Sequence, residues 1–403
     1  MMNVSIPDPI VQTDIPILKL NPKAHNRVRN GHPWIFRDEL AAHQSIDAGS
    51  IIRVETDYGY DLGLGFYHPS SQIAVRLLRW QEKQVDTHFF ISRLQSALAL
   101  RQRLFPAEPV YRLCFGESDY LPGLVIDRYG DYCAVQLLSA GMDILRPMIF
   151  EAMLAIMPDL KGIILKNDSQ LRMKEGLQPG EEIVWGNIPE EIPIIENGIK
   201  LSLSLLKGQK TGYFLDQRLN RAFVGSLAKG LTVLDCFTNQ GGFALNAAAG
   251  GAIKAVGIDS AASAVQACRN NAELNGFDQC SFVQADVFDY LKDQAAAGNK
   301  WDMVILDPPA FAKSKGSVAQ ARRGYSEINR QALKLISTGG YLISASCSHH
   351  VSEEMLLECI SAEAKRINRQ LRLLWRGGQS PCHPVLLTMP ETRYLKCLIF
   401  EVQ

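Results

Sequence analysis

The chain has 403 residues, 47% of them apolar, and its 42 basic side chains balance 42 acidic ones. That length predicts two or three domains, and the absence of any run of about 18 apolar residues predicts no membrane span and no membrane partner. Nine scattered cysteines without a Cys-x-x-Cys pair argue against a disulfide framework and a zinc site, so a reduced, cytoplasmic protein with no bound metal is the simplest expectation.

The first 16 residues lack a basic start and an apolar core, and read as an irregular lead-in rather than a secretory signal. Residues 15–80 carry short β-type stretches, Ile51–Val54 and Ile73–Leu78, and read as a small β barrel. Tyr58-Gly59-Tyr60-Asp61 and Gly63-Leu64-Gly65 read as the punctuation between its strands. Between Ile17 and Arg37 there are Lys19, Lys23, Arg27, Arg29 and Arg37 but no acid, interleaved with His25, His32, Trp34 and Phe36. Cations that hold phosphates suit RNA, so Lys19, Lys23, Arg27 and Arg29 are candidate RNA contacts, whereas Trp34 and Phe36 read mainly as barrel core.

Residues 81–190 read as an α+β domain. A helix covers Thr87–Leu104, stopped by Pro106; strands at 111–115, 124–127 and 132–137, a helix at 143–157 and a strand at 162–166 follow. Asp119 and the segment Pro122–Tyr129 suit either a wall facing a cleft or a structural turn.

Residues 191–403 alternate strands with helices, which predicts a doubly wound α/β domain: a mostly parallel sheet covered on both faces. Its first strand, Leu231–Phe237, runs into the loop Thr238-Asn239-Gln240-Gly241-Gly242 and then a helix. Asp259 ends the second strand, 18 positions after Gly241, where an acid can hold both hydroxyls of a ribose. Asp286 ends the third strand and can take an adenine amino group. A dinucleotide would need a Gly-x-Gly-x-x-Gly loop so that pyrophosphate meets the helix N-terminus. Here a carboxylate, Asp235, opens the loop instead and suits the cationic methionyl end of S-adenosylmethionine.

The fourth strand ends in Asp307-Pro308-Pro309-Ala310-Phe311, where two prolines stiffen the backbone and Phe311 can stack on a flat substrate. The basic stretch Lys313-Ser314-Lys315 to Arg322-Arg323 follows and would line the mouth of the site. The fifth strand, Gly340–Ser346, ends at Cys347. A thiolate added to carbon 6 of a pyrimidine makes carbon 5 nucleophilic enough to take a methyl group, and His349, His350 and Arg218 are candidate cations for that thiolate. Cys347 also suits a plain packing role, and the histidines are more simply structural.

Taken together these segments resemble the large-subunit ribosomal RNA methyltransferase I family, bacterial 23S rRNA cytosine-C5 methyltransferases with an N-terminal PUA domain. Gly31-His32-Pro33-Trp34-Ile35-Phe36 resembles the PUA signature, Glu117–Gly130 the central-domain signature, and Lys210–Arg218 the entry to the methyltransferase domain. The resemblance implies S-adenosylmethionine as cofactor, held by Gln217, Arg218, Asp235, Phe237, Asn239, Gly241, Gly242, Asp259, Ser260, Asp286, Val287, Asp307 and Pro308. It also implies Cys347 as nucleophile, Asp307 as the group that orients or activates the base, large-subunit rRNA as partner and a homodimer. One departure is visible: other RNA cytosine-C5 methyltransferases often carry a second cysteine beside the proline of the fourth-strand motif, and Asp307-Pro308-Pro309 has none. That keeps open an RNA N-methyltransferase on the same fold, and more distantly a non-catalytic RNA-binding or assembly protein.

Overall fold

The structure, a computed structural model, describes residues 15–41, 45–79, 84–207, 211–312 and 314–403. Lys210 and Lys313 lie outside the described residues, as do the side chains of Lys23 and Lys315. The chain forms two compact units. One comprises the described residues up to Glu190 with those of Ser204–Gly212 and Cys382–Thr392; the other comprises Glu191–Leu203, Tyr213–Pro381 and Arg393–Gln403. No helix among the described residues is long and apolar enough to cross a membrane.

The first unit opens with β1 (Ile17–Lys19), α1 (His25–Arg29), β2 (Trp34–Phe36), β3 (Ile51–Glu55), β4 (Asp61–Tyr67) and β5 (Ile73–Arg79), in sheet order β1-β3-β4-β5-β2. Leu18, Leu20, Val28, Ile35, Ile52 and Val54 lie in its core. Gly63 and Gly65, expected between strands, lie inside β4. Gly63 sits opposite Val54, has φ +103°, and adjoins a shift in the ladder. A Cβ on Gly65 would stand 2.8 Å from the Arg76 carbonyl oxygen and from Val75 Cγ1. These glycines mark a bulge and a close approach rather than chain ends. Trp34 and Phe36 flank buried Ile35 and are only half-buried, because alternation along β2 gives the core to Ile35.

The same unit continues through α2 (Thr87–Leu104), β6 (Val110–Phe115), β7 (Leu124–Tyr129), β8 (Tyr132–Leu137), α3 (Ala140–Ile144), α4 (Arg146–Ile156), β9 (Gly162–Asn167), α5 (Gln170–Lys174) and β10 (Gly180–Gly186). Asp86 caps α2, its Oδ1 accepting from the Phe89 N–H at 2.8 Å. The single helix expected at 143–157 is two, since Pro147 belongs in a first turn and α4 restarts there. The sheet order is β10-β9-β8-β7-β6, with only β8 and β9 parallel. Fully buried Arg101 donates to both carboxylate oxygens of Asp119, at 2.5 and 2.7 Å, and to the Arg112 and Cys382 carbonyls. Asp119 therefore neutralises a buried guanidinium; it is a structural residue of its turn.

The second unit begins with a hairpin, β11 (Ile192–Glu196) and β12 (Ile199–Leu203), turned by Asn197 and Gly198 at φ 54° and 76°. Then follow α6 (Arg218–Leu227), β13 (Thr232–Cys236), α7 (Gly242–Ala249), β14 (Lys254–Asp259), α8 (Ala262–Asn275), β15 (Cys280–Gln284), α9 (Val287–Ala296), β16 (Trp301–Leu306), α10 (Val318–Leu335), β17 (Ile336–Ser346), α11 (Glu353–Arg366), β18 (Leu371–Gly377) and β19 (Lys396–Val402). They form a seven-stranded sheet in the order β15-β14-β13-β16-β17-β19-β18, with β19 antiparallel to both neighbours. Val233, Leu234, Val304 and Ile305 are fully buried, as central parallel strands covered on both faces require. The strand order reverses between β13 and β16, so the crevice at their carboxyl ends is the expected ligand position of such a sheet.

Candidate active site

The loop after β13 is held in an uncommon backbone conformation. Phe237, Asn239 and Gly241 all have positive φ, at 62°, 52° and 84°. Only glycine adopts that region freely, so two side-chain-bearing residues there indicate a loop fixed by its surroundings. Part of that fixation comes from Asp259 at the end of β14, whose two carboxylate oxygens accept from the Asn239 and Ala261 N–H groups, each at 3.0 Å. Part comes from Arg221, paired through two hydrogen bonds of 2.8 and 2.9 Å with buried Glu196 of the hairpin. A Cβ on Gly242 would stand 2.7 Å from Arg221 Cδ and from the Tyr213 hydroxyl, so this glycine lets α7 start against that pair.

Asp235 is fully buried. Its Oδ2 accepts from Thr238 Oγ1 at 2.5 Å and from the Ala244 N–H at 3.0 Å, while its Oδ1 is buried with no hydrogen-bond partner. Burial pushes its carboxyl up to about 7. A carboxylate whose hydrogen-bond donors are both neutral, and which keeps one buried oxygen without a donor, suits a ligand that brings a cation. The methionyl ammonium of S-adenosylmethionine is such a group, so the residues present fit this donor. Asp286 stands exposed after β15 and caps α9, accepting from the Phe288 N–H at 2.8 Å and the Asp289 N–H at 3.2 Å. Ser260 is exposed and Val287 is core.

Across the crevice, Gln217 Nε2 donates to Asp307 Oδ1 at 2.8 Å and is itself steadied by Asn220, 2.7 Å from its Oε1. Burial, then the negative charges of Asp216 and Asp235, raise the Asp307 carboxyl to about 7. Cys347 follows the end of β17, with Sγ 4.0 Å from the Pro308 carbonyl oxygen. The Tyr325 hydroxyl holds the flanking serines, 2.8 Å from Ser346 Oγ and 3.3 Å from Ser348 Oγ.

Three residues here escaped sequence reading. Lys396, at the start of β19, donates to the Ser348 and Tyr394 carbonyls at 2.7 and 2.8 Å. The Tyr394 hydroxyl donates to Asp216 Oδ2 at 2.6 Å, and Asp216 Oδ1 is buried without a partner. The expected cations fare differently. His349 reaches the surface, yet partial desolvation, then the charges of Lys396 and His350, hold its imidazole below its ordinary value. Arg218 acts electrostatically on Glu196.

Phe311 packs against Tyr325 and Phe288, with centroids 4.8 and 6.1 Å away, so its ring is partly committed to the core instead of standing open for stacking. Arg322 pairs with Glu358 at 3.0 Å, and Arg323 is exposed. In the first unit, Lys19 is exposed and Arg29 lies 5.7 Å over the Tyr60 ring. Arg27 is engaged internally, donating to the Trp34 carbonyl at 2.9 Å and to Glu39, and lying 4.7 Å over Phe36. The Trp34 indole N–H donates to Glu117 at 2.8 Å, beneath Arg76. No group of three or more metal-ligating side chains occurs among the described residues.

Comparison with known proteins accords with this arrangement. Residues 169–387 match a family of S-adenosylmethionine-dependent methyltransferases, and residues 18–80 match a PUA-like domain. The ribosomal RNA large subunit methyltransferase I of Tolumonas auensis is 38% identical over 91% of this chain and 94% of its own length. The protein of that name from Alteromonas mediterranea is 36% identical over 95% of this chain and 98% of its own length. Among solved structures, SMU.776 complexed with SAH shares the fold with a TM-score of 0.84 at 23% identity, covering 96% of this chain and all of that one. S-adenosylmethionine is thus the cofactor of this domain, and the chain belongs to the ribosomal RNA large subunit methyltransferase I family of S-adenosylmethionine-dependent methyltransferases.

Proposed function

We propose that this protein methylates carbon 5 of a cytosine in large-subunit ribosomal RNA, with Cys347 as a covalent nucleophile. The observation that carries the reading is the position of Cys347 at the carboxyl end of β17, its sulfur beside the Pro308 carbonyl that follows Asp307. Asp235 would hold the ammonium of the methyl donor, Asp259 its ribose hydroxyls and Asp286 its adenine, with Phe237, Asn239, Gly241 and Gly242 shaping the loop around it. When bound, the donor supplies an electrophilic methyl group on a sulfonium.

The Cys347 thiolate adds to carbon 6 and forms an Sγ–C6 bond. The electron pair displaced onto carbon 5 makes that carbon the nucleophile, and the donor, held by Asp235 and Asp259, would supply the methyl group while keeping the methyl–sulfur electron pair. A base then takes the carbon 5 proton, and the returning pair expels the thiolate, restoring the ring and the enzyme. Asp307, half-buried and titrating near neutrality, is suited to accept or orient that proton, with Gln217 fixing its carboxyl. Lys19, Arg29 and Arg323 supply exposed cations for phosphates.

One feature favours a second reading, transfer to an exocyclic nitrogen: the fourth-strand motif Asp307-Pro308-Pro309 has no cysteine, and nitrogen chemistry needs none. Bisulfite sequencing and nuclease-digest mass spectrometry of ribosomal RNA, from strains with and without the gene, test both. The expected difference is one 23S cytosine that loses a carbon 5 methyl group. Loss of an N-methyl group, or no change in the large-subunit RNA, contradicts the proposal.

A further inference from the structure

β17 and β19 pair antiparallel, with Ser346 opposite Lys396. This register brings Lys396 to the end of the strand from which Cys347 emerges. Lys396 is only 6% exposed, and the two oxygens that accept from its ammonium are the neutral carbonyls of Ser348 and Tyr394. The first of these belongs to the residue that follows Cys347. An ammonium has three N–H donors, so one remains after those two bonds.

A buried ammonium needs a counter-charge or it sheds its proton. The groups acting on Lys396 are, after burial itself, Cys347, then Arg393 and Glu353, with His349 nearby on the same edge. Glu353 is already shared by Arg393 at 3.0 Å and Arg376 at 2.9 Å, so its charge is engaged by two guanidinium groups and is not free to balance Lys396. Cys347 is left as the group whose ionised form balances the lysine.

We infer that Lys396 is a positioning residue that holds Cys347 as a thiolate, poised for attack. The inference rests on the covalent reading of Cys347 given above. Burial draws the Lys396 ammonium down and an ionised Cys347 works against it, leaving the group at about 8. The charged pair therefore exists in a window whose lower edge is protonation of the thiolate and whose upper edge is loss of the ammonium proton. Removing the cation moves the lower edge up in pH.

The test is the pH dependence of iodoacetamide alkylation at Cys347 in the full chain, without RNA or methyl donor, read by mass spectrometry on the peptide that carries it. In the wild type the midpoint should lie below the ordinary thiol value of about 8.5. Lys396→Met should raise it by about one unit, slowing alkylation at pH 7.5 roughly tenfold, and Lys396→Arg should restore most of the rate. An unchanged midpoint in folded Lys396→Met overturns the inference. So does a wild-type midpoint at or above about 8.5, which decides the matter even where the variant does not fold. This readout is ionisation, not turnover. If Cys347→Ala still transfers methyl groups while the midpoint moves as expected, the covalent reading fails and the ion pair stands; a dead Cys347→Ala with an immobile midpoint gives the reverse.

Discussion

Cys347→Ala should lose methyl transfer to RNA by a factor on the order of 10^3 or more, while binding S-adenosylmethionine as the wild type does. The split follows from the geometry. Cys347 follows β17, whereas Asp235 and Asp259 lie at the carboxyl ends of β13 and β14, on the other side of β16. The substitution removes a small half-buried side chain and leaves the Tyr325 bonds to Ser346 and Ser348 intact. Isothermal calorimetry for the donor and tritium transfer to ribosomal RNA separate the two effects. Transfer at near normal rate would remove the thiolate from the mechanism and leave nitrogen as the acceptor.

Asp235→Asn should weaken the donor by about 1.5–3 kcal/mol, roughly 10- to 150-fold, the worth of a hydrogen bond between charged groups. The wild-type affinity should also rise with pH toward and through about 7, because the carboxyl of the ligand-free protein is protonated below that value and cannot oppose an ammonium. In the variant this slope should shrink to what Asp307, also raised to about 7, contributes. Stability of the ligand-free protein should show the opposite trend. Burial raises the native carboxyl above its unfolded value, so the native state binds more protons than the unfolded one from about pH 4 to about pH 7. Its contribution is fully present below about pH 4 and is lost as pH rises through about 7. The melting temperature of Asp235→Asn relative to wild type should therefore improve steadily across that interval. A constant difference between the two proteins would show that Asp235 does not titrate there.

The strand-end positions of the acids proposed to hold the donor could be read from the sequence because a parallel sheet writes them in order. An acid lies at or just beyond the carboxyl end of each of the first three parallel strands, Asp235, Asp259 and Asp286, and the strand–helix alternation puts all three at one edge. The acceptor half was only partly legible. Asp307 and Cys347 end strands of the same parallel set, but Lys396 reaches Cys347 from an antiparallel strand whose register no local pattern announces. Asp216 and Tyr394 meet across 178 positions for the same reason. In the first unit, alternation along β2 was obscured by the size of Trp34 and Phe36, which suggested core while the smaller Ile35 occupies it. Gly63 and Gly65 looked like turn residues because a bulge and a tight strand contact require the same small side chain as a turn. β17 likewise begins at Ile336, ahead of Gly339 and Gly340, since its first residue pairs with Trp301 across a bulge.

The measurement that bears most directly on carbon 5 methylation uses large-subunit ribosomal RNA transcribed with 5-fluorocytidine, incubated with the protein and S-adenosylmethionine. Once the sulfur has added to carbon 6 and the methyl group to carbon 5, fluorine stands where the departing proton should be, and elimination stops. A denaturant-stable protein–RNA adduct carrying one methyl group, with the RNA attached through the peptide containing Cys347, is the predicted result. Methylation of the same RNA without any adduct, or an adduct through another residue, would contradict it.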